Sequence, residues 1–393
     1  MKKVCVITGT RAEYGLLKPL MTGIENEADM ELQLVVTGMH LSPEFGLTYK
    51  EIEQDGFSIA ECNEMLLSSD TPCGITKSTG LGMIGFAEIF TRIRPDMVVV
   101  LGDRYEVLAA AVAALIHRIP IAHICGGELT QGAVDDAIRH SVTKMSTLHF
   151  TSTEEYRNRV IQLGEEPERV FWVGAPGIEN IKTQKLMERE ELAESIGFPL
   201  DGPYVVVTFH PVTLEKNTAE RQIENLLTAL TYFNEYRIIF TKANSDTDGR
   251  IINKRIDEYV CQNRSRALAV TSLGMVRYLS ALRYCEMVIG NSSSGILEAP
   301  SFKIPTVNIG DRQLRRVRAK SVIDCENDVD SIITAIEQAG KLKEEGVLEK
   351  TENPYEKADT SENILFALKR YMMNGASIKK TFYDIPFESK QRE

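Results

Sequence analysis

Residues 98–106 read VVVLGDRYE. Three valines and a leucine run without a break into Gly102, Asp103, Arg104, Tyr105 and Glu106. A short, unbroken apolar run of this kind predicts a strand covered on both faces, as in a parallel sheet. The charged cluster then falls at that strand's carboxyl end, where open α/β sheets bind their ligands. Two acids and a guanidinium gathered there point to chemistry. The plain alternative is an ion pair that closes the strand.

Outward from this stretch the same junction recurs. VCVIT (4–8), LQLVVTG (32–38), MVVVLGD (97–103), IPIAHICGG (119–127), LHFTST (148–153) and VFWVGAP (170–176) predict strands. Helical patterns from Glu13 onward, over 107–116 and over 135–144, fall between them. Such alternation implies right-handed βαβ units and a parallel sheet. Residues 176–203 interrupt it with Pro176, Gly177, a charged helix and a proline-bounded loop. A second series follows: YVVVTFH (204–210), RIIFTKAN (237–244), ALAVTS (267–272), EMVIGN (286–291) and IPTVNIG (304–310). The expected fold class is α/β, with two Rossmann-like doubly wound domains facing a cleft. Residues 1–178 form the first domain and 179–360 the second. Residues 361–393 supply a helix packing back on the body and a tail frayed from Phe387.

Composition narrows the function classes. The 393 residues suit two domains, and at 43% hydrophobic they can bury two cores. No apolar run reaches the length of a membrane span. The start, MKKVCVITG, is too short for a secretory signal and reads as a first strand. A net charge of −11 disfavours nucleic acid as a partner. Seven scattered cysteines without a CxxC pair predict reduced thiols in the cytoplasm, with neither a disulfide framework nor a zinc site. Cys125 reads as a packing residue. Residues 80–85, GLGMIG, formally match GxGxxG, but a polar segment with Pro72 and Gly74 precedes them instead of a strand. They read as helix-packing glycines, so no dinucleotide or other cofactor is expected, and no metal.

Seven further constellations stand out, six at strand ends and one on a helix. In TGTRAEYGLL (8–17), Gly9 permits close approach and the Arg11 fork suits a phosphate or a domain rim. In HICGGELT (123–130), Glu128 follows paired glycines, as a functional acid or a helix cap. In VDDAIRH (134–140), Asp135/Arg139 and Asp136/His140 are i,i+4 partners, so one acid can be held by the helix while the other faces the cleft. His140 and His123 read as structural. In VVVTFHPVT (205–213), His210 can donate to a diphosphate. Asn244 ends a strand in TKANSDTDG (241–249). In MVIGNSSSGILEAP (287–300), Ser292 and Ser293 predict an anion nest at a helix N-terminus, with Glu298 a turn further in, suited to a ribose diol. In NIGDRQLRRVRAK (308–320), Arg312 comes first, and the run Arg315, Arg316, Arg318, Lys320 reads as a solvated face.

TRAEYG, LGDRYE, HICGGE, DDAIRHSVTKM, FHPVT, IGNSSSG and GDRQ, in this order and with FYDIP at 382–386, resemble the UDP-N-acetylglucosamine 2-epimerases. GGE together with DDAIRH favours the hydrolysing branch of bacterial sialic acid synthesis, and the epimerase half of the bifunctional animal enzyme is also similar. The resemblance implies a GT-B-type fold, UDP-N-acetylglucosamine as substrate, and a homo-oligomer, dimer or tetramer. Residue by residue it puts nucleotide and diphosphate contacts on Arg11, Arg104, His210, Asn244, Ser292, Ser293, Glu298 and Arg312. It puts the catalytic groups on Asp103, Glu128 and Asp135, with His210 beside them. The Asp135-Asp136 pair leaves either as the acting acid. A sister hydrolase acting on UDP- or GDP-N,N'-diacetylbacillosamine stands close by. A GT-B glycosyltransferase would need an acceptor site, and a non-catalytic nucleotide-sugar sensor would not need three carboxylates.

Overall fold

A computed structural model describes residues 1–130, 133–212, 214–215, 217–244, 248–375 and 377–386. Two parallel sheets organise them. The first contains Lys2–Thr8 (β1), Met30–Thr37 (β2), Ile59–Asn63 (β3), Met97–Leu101 (β4), Ile121–Ile124 (β5), Leu148–Thr151 (β6) and Val170–Trp172 (β7), in the order β3-β2-β1-β4-β5-β6-β7. The second contains Tyr204–Thr208 (β8), Arg237–Thr241 (β9), Ala267–Val270 (β10), Val288–Gly290 (β11), Thr306–Ile309 (β12) and Val322–Cys325 (β13), in the order β10-β9-β8-β11-β12-β13. Both wind outward one way and then the other, reversing between β1 and β4 and between β8 and β11. A crevice opens at each reversal, beyond the carboxyl ends of the strands.

The two Rossmann-like halves expected from the sequence are therefore present. β3 and β13 were not expected. Each is an outer strand, and their sequences, IAECN and VIDC, are only partly buried. An edge strand carries charge on its open side and so lacks the unbroken apolar run that marks its neighbours.

Each sheet is covered on both faces. The helix Arg11–Asn26 starts at Thr10, whose side chain accepts from the Glu13 amide. It buries Leu17, Leu20, Met21 and Ile24 against Val4 and Val6 of β1. On the other face, Phe86 and Phe90 of the helix Pro72–Ile93 pack with Ala109, Ala110 and Ala111. Gly82 and Gly85 of the GLGMIG stretch lie in that helix: a β-carbon at Gly82 would stand 3.1 Å from that of Ala109, and one at Gly85 2.0 Å from Asn63 Oδ1. These glycines pack a helix, as expected.

The expected break over 176–203 holds a helix of its own, Pro176–Thr183, in which Asn180 Nδ2 donates to the Gly15 carbonyl at 2.8 Å. The last helix, Thr360–Met373, returns to the first half and buries Ile364, Leu368 and Met372 in the same core as Leu17 and Leu20. Beyond it, Lys380 Nζ meets Glu165 at 2.7 Å and the Tyr383 amide donates to Gly164 at 3.0 Å. The fraying expected from Phe387 lies outside the described residues. No helix among them is long and apolar enough to cross a membrane.

The fully buried Leu368 tests this arrangement. Leu368→Ala is expected to lower unfolding free energy by about 3 kcal/mol in urea titration. An unchanged midpoint would detach the last helix from the first core.

Candidate functional site

At the end of β4, Gly102 turns the chain at φ 81, a conformation open to glycine at little cost. Asp103 follows, ion-paired with Arg139 of the helix Val134–Met145. Arg139 is buried, and it also donates to the Glu128 carbonyl at 2.9 Å and the Thr130 hydroxyl at 2.8 Å. It thus stitches the ends of β4 and β5 together. Behind them His123 Nε2–H donates to the Gly102 carbonyl at 2.7 Å, and its other nitrogen meets the Thr143 hydroxyl at 3.1 Å. Burial holds that imidazole down at about 3, so it stays neutral and structural, as expected.

Glu128 follows β5 and is 4% exposed. Its Oε1 accepts from Ser152 at 2.7 Å, and its Oε2 stands 2.9 Å from Arg316 Nη1. Arg316 belongs to the second half. The expectation of a solvated basic run over 315–320 is corrected here: Arg315 and Lys320 are exposed, Arg318 pairs with Asp324, and Arg316 is buried across the gap. No local pattern marks Arg316, because its partner is set by tertiary docking.

Asp136 accepts from the Thr130 amide at 2.8 Å and lies 3.6 Å from His140 Nε2. Its own helix and loop hold it, and Asp135 beside it is likewise half-buried. Arg139 pairs with Asp103, lies 3.7 Å from Asp136 through Nη1 and bonds the backbone of the loop after β5.

The first βα loop also departs from expectation. The Gly9 amide donates to Glu13 at 2.8 Å. What approaches Gly9 closely is Glu106, whose Cγ would lie 2.6 Å from a β-carbon there. Arg104 Nε donates to Glu106 at 2.6 Å. Burial first, and then the neighbouring Glu106, push the Glu13 carboxyl up to about 8. Arg11 pairs with Glu51 at 2.5 Å and extends toward the second half, where a β-carbon on Gly274 would meet its guanidinium.

Between the halves, Arg11 of the first and His210, Asn244, Ser292, Ser293 and Glu298 of the second line one cavity of about 310 Å³. All six were candidates from the sequence. Arg104 and Arg312 do not line it; Arg312 Nη1 donates to the Asn291 carbonyl at 3.1 Å. Asn291 is the organiser that sequence reasoning passed over. Its side chain exchanges hydrogen bonds with the His210 backbone at 2.7 and 2.8 Å, clamping the ends of β8 and β11. Its place at the end of an apolar run was the available signal, the same one that marked Asn244. A larger opening of about 580 Å³ shares Asn244 and runs between the loops after β2 and β3 and Arg250.

The predicted helix after Ser293 is a single turn, Ser294–Leu297, followed by a 3₁₀ turn. Glycine and proline composition cannot sustain more, so the helix-dipole part of the anion nest is lost and hydroxyl groups remain. Glu298 Oε2 is sealed, with no hydrogen-bond partner among the described residues, and burial pushes its carboxyl up to about 7. No group of three metal-ligating side chains occurs among the described residues.

Residues 22–369 match the UDP-N-acetylglucosamine 2-epimerase family. The chain belongs to that family. A GDP/UDP-N,N'-diacetylbacillosamine 2-epimerase (hydrolyzing) of Campylobacter jejuni is 44% identical over 86% of this chain and 88% of its own. A polysialic acid biosynthesis protein of Escherichia coli is 41% identical over 98% of each. The structure of the Methanocaldococcus jannaschii UDP-GlcNAc 2-epimerase in complex with UDP-GlcNAc and UDP superimposes with a TM-score of 0.77, covering 94% of this chain and 99% of that one at 21% identity. That likeness establishes the epimerase fold, the GT-B-type pair of Rossmann-like halves.

Glu298 gives this site a pH signature. A carboxyl raised from 4.5 to about 7 stays protonated in the folded chain while it ionises in the unfolded one. Stability therefore falls as pH rises between those values. Glu298→Gln is expected to gain on the order of 2–3 kcal/mol relative to the parent between pH 4.5 and pH 8, read by urea unfolding at each pH. A difference that does not change with pH would refute the assignment.

Proposed function

We propose that this family member is a hydrolysing 2-epimerase that converts UDP-N-acetylglucosamine to N-acetylmannosamine and UDP. The observation that carries the reading is one cavity lined by Arg11, His210, Ser292, Ser293 and Glu298 at the crevice of the second sheet, with Asp103 and Glu128 at the strand ends of the first. The nucleotide would sit with residues 179–360 and the acid/base groups with residues 1–178. Arg104, Asn244 and Arg312 complete the nucleotide side, and the Glu298 carboxylate would take the ribose hydroxyls.

The chemistry sets the requirements. The C2 hydrogen of the sugar has no neighbouring carbonyl and is not acidic. Departure of UDP with the C1–O electron pair leaves positive charge at C1, and a carboxylate can then remove the C2 proton to give a 2-acetamidoglucal. Water adds at C1 while a proton returns to C2 from the other face. This calls for cationic and hydroxyl donors on the leaving diphosphate, which Arg11, His210 and the two serines supply. It also calls for an acid and a base. Asp103 and Glu128 carry the C2 proton transfers in this reading, and Asp135 acts on water or as partner acid. Seven free cysteines support a cytoplasmic setting. Family resemblance supports a homo-oligomer, dimer or tetramer.

The 44% identity to the Campylobacter jejuni enzyme supports a second substrate, UDP- or GDP-N,N'-diacetylbacillosamine, for the same reaction. Relative turnover on the two sugars separates these readings.

With UDP-N-acetylglucosamine alone in D2O, the protein is expected to release UDP and free N-acetylmannosamine deuterated at C2. A glycosyltransferase would require an acceptor, and a sensor would release nothing. Asp103→Asn and Glu128→Gln should each slow UDP release by about 10²-fold or more. His210→Ala should weaken both UDP affinity and turnover. Wild-type rates in both carboxamide variants would overturn their roles.

A further inference from the structure

We infer that Arg316 is a positioning residue for this reaction: it reaches from the second half into the first and sets where the Glu128 carboxylate points. The inference rests on the epimerase reading, because it takes Glu128 to be a proton-transfer group. Glu128 sits after Gly126 and Gly127, which provide no side chains to brace it. Its two oxygens are instead met from either side, Oε1 by a hydrogen bond from the Ser152 hydroxyl at 2.7 Å and Oε2 by an ion pair with Arg316 Nη1 at 2.9 Å. The same guanidinium donates through Nε to the Leu129 carbonyl at 2.6 Å and reaches the Thr130 hydroxyl at 3.4 Å. The fork thus grips the acid and the backbone that carries it.

Arg316 is itself fixed. The Val317 amide donates to the Tyr156 hydroxyl at 3.0 Å, and the Tyr355 hydroxyl donates to the Val317 carbonyl at 2.6 Å. The two hydroxyls lie 2.8 Å apart. A few residues upstream, Arg312 and Gln313 both bond the Asn291 carbonyl, at 3.1 and 2.9 Å, and Asn291 clamps His210. One segment, 312–317, therefore runs from the nucleotide loops to the acid. A buried ion pair is a poor device for stability alone, since an apolar pair of like volume does as well or better. At a carboxylate that must be aimed, it has a use: misplacement by about 1 Å can cost about 10²-fold in rate.

The test is steady-state kinetics of UDP release on folded full-length protein, with UDP affinity measured by calorimetry. Arg316→Met is expected to lower kcat by about 10²-fold while KM and the UDP dissociation constant stay within about twofold. Arg316→Lys, which keeps charge but not the fork, should recover part of kcat. In a Glu128→Gln background the methionine substitution should cost less than about threefold, because its target is gone. Should Arg316→Met fail to fold, Ser152→Ala removes the other hand on Glu128 and should show the same loss confined to kcat. Unchanged kcat in Arg316→Met, an equal loss in the Glu128→Gln background, or a parallel loss of UDP affinity would overturn the inference. Failure of the parent chain to release UDP would instead overturn the epimerase reading itself.

Discussion

The reversal of winding in each parallel sheet is the constraint on which the rest depends. Strands rich in valine and isoleucine, covered by helices on both faces, leave only their ends for polar work. Where the chain reverses between β1 and β4, and again between β8 and β11, neighbouring loops diverge and leave room for a ligand. Asp103 follows β4, Glu128 β5, His210 β8, Asn244 β9 and Asn291 β11. Glycines at positive φ, Gly102 before Asp103, Gly127 before Glu128 and Gly290 before Asn291, turn the chain at three of these strand ends. The topology sets them at strand ends, and the two sheets, seven-stranded and six-stranded, wind in the same order up to the seventh strand.

Crowding acids at strand ends has an electrostatic cost, and the structure meets it in two ways. Asp103, Glu106 and Glu128 each face a guanidinium, from Arg139, Arg104 and Arg316. A buried carboxylate left without its cation would be strongly unfavourable. Glu13 is buried and Glu298 has one carboxyl oxygen sealed, neither with such a paired cation among the described residues, and burial pushes their carboxyls up to about 8 and about 7. The site therefore sorts its acids into paired and proton-retaining sets by which of them an arginine reaches.

Local pattern made the strand ends legible because burial on both faces writes itself as an apolar run, and a charge after that run is conspicuous. This is why Asp103, Glu128, His210 and Asn244 could be read from the chain, along with the two-sheet fold. β3 and β13 could not, since an edge strand is polar on its open side. Arg316 could not, since a buried arginine and a solvated one look alike in LRRVRAK and only docking of the halves separates them. The serine loop misled for a different reason: it carries good helix-capping residues, but Gly295 and Pro300 leave a single turn behind them.

The seam between the halves is uneven in what holds it. On one side Arg316, the Tyr156–Tyr355 pair and the Asn180–Gly15 bond are buried, so breaking them would strand polar groups away from water. On the other side Arg250 clasps Glu44 at 3.0 Å and the Ser68 hydroxyl at 3.1 Å, and these groups are close to half exposed. Contacts of that kind contribute roughly 0–1 kcal/mol. Separation is therefore least costly along the Arg250 edge, where the larger opening lies. The Glu128–Arg316 pair sits on the costly side, so the part of the seam that aims the acid is also the part that resists opening.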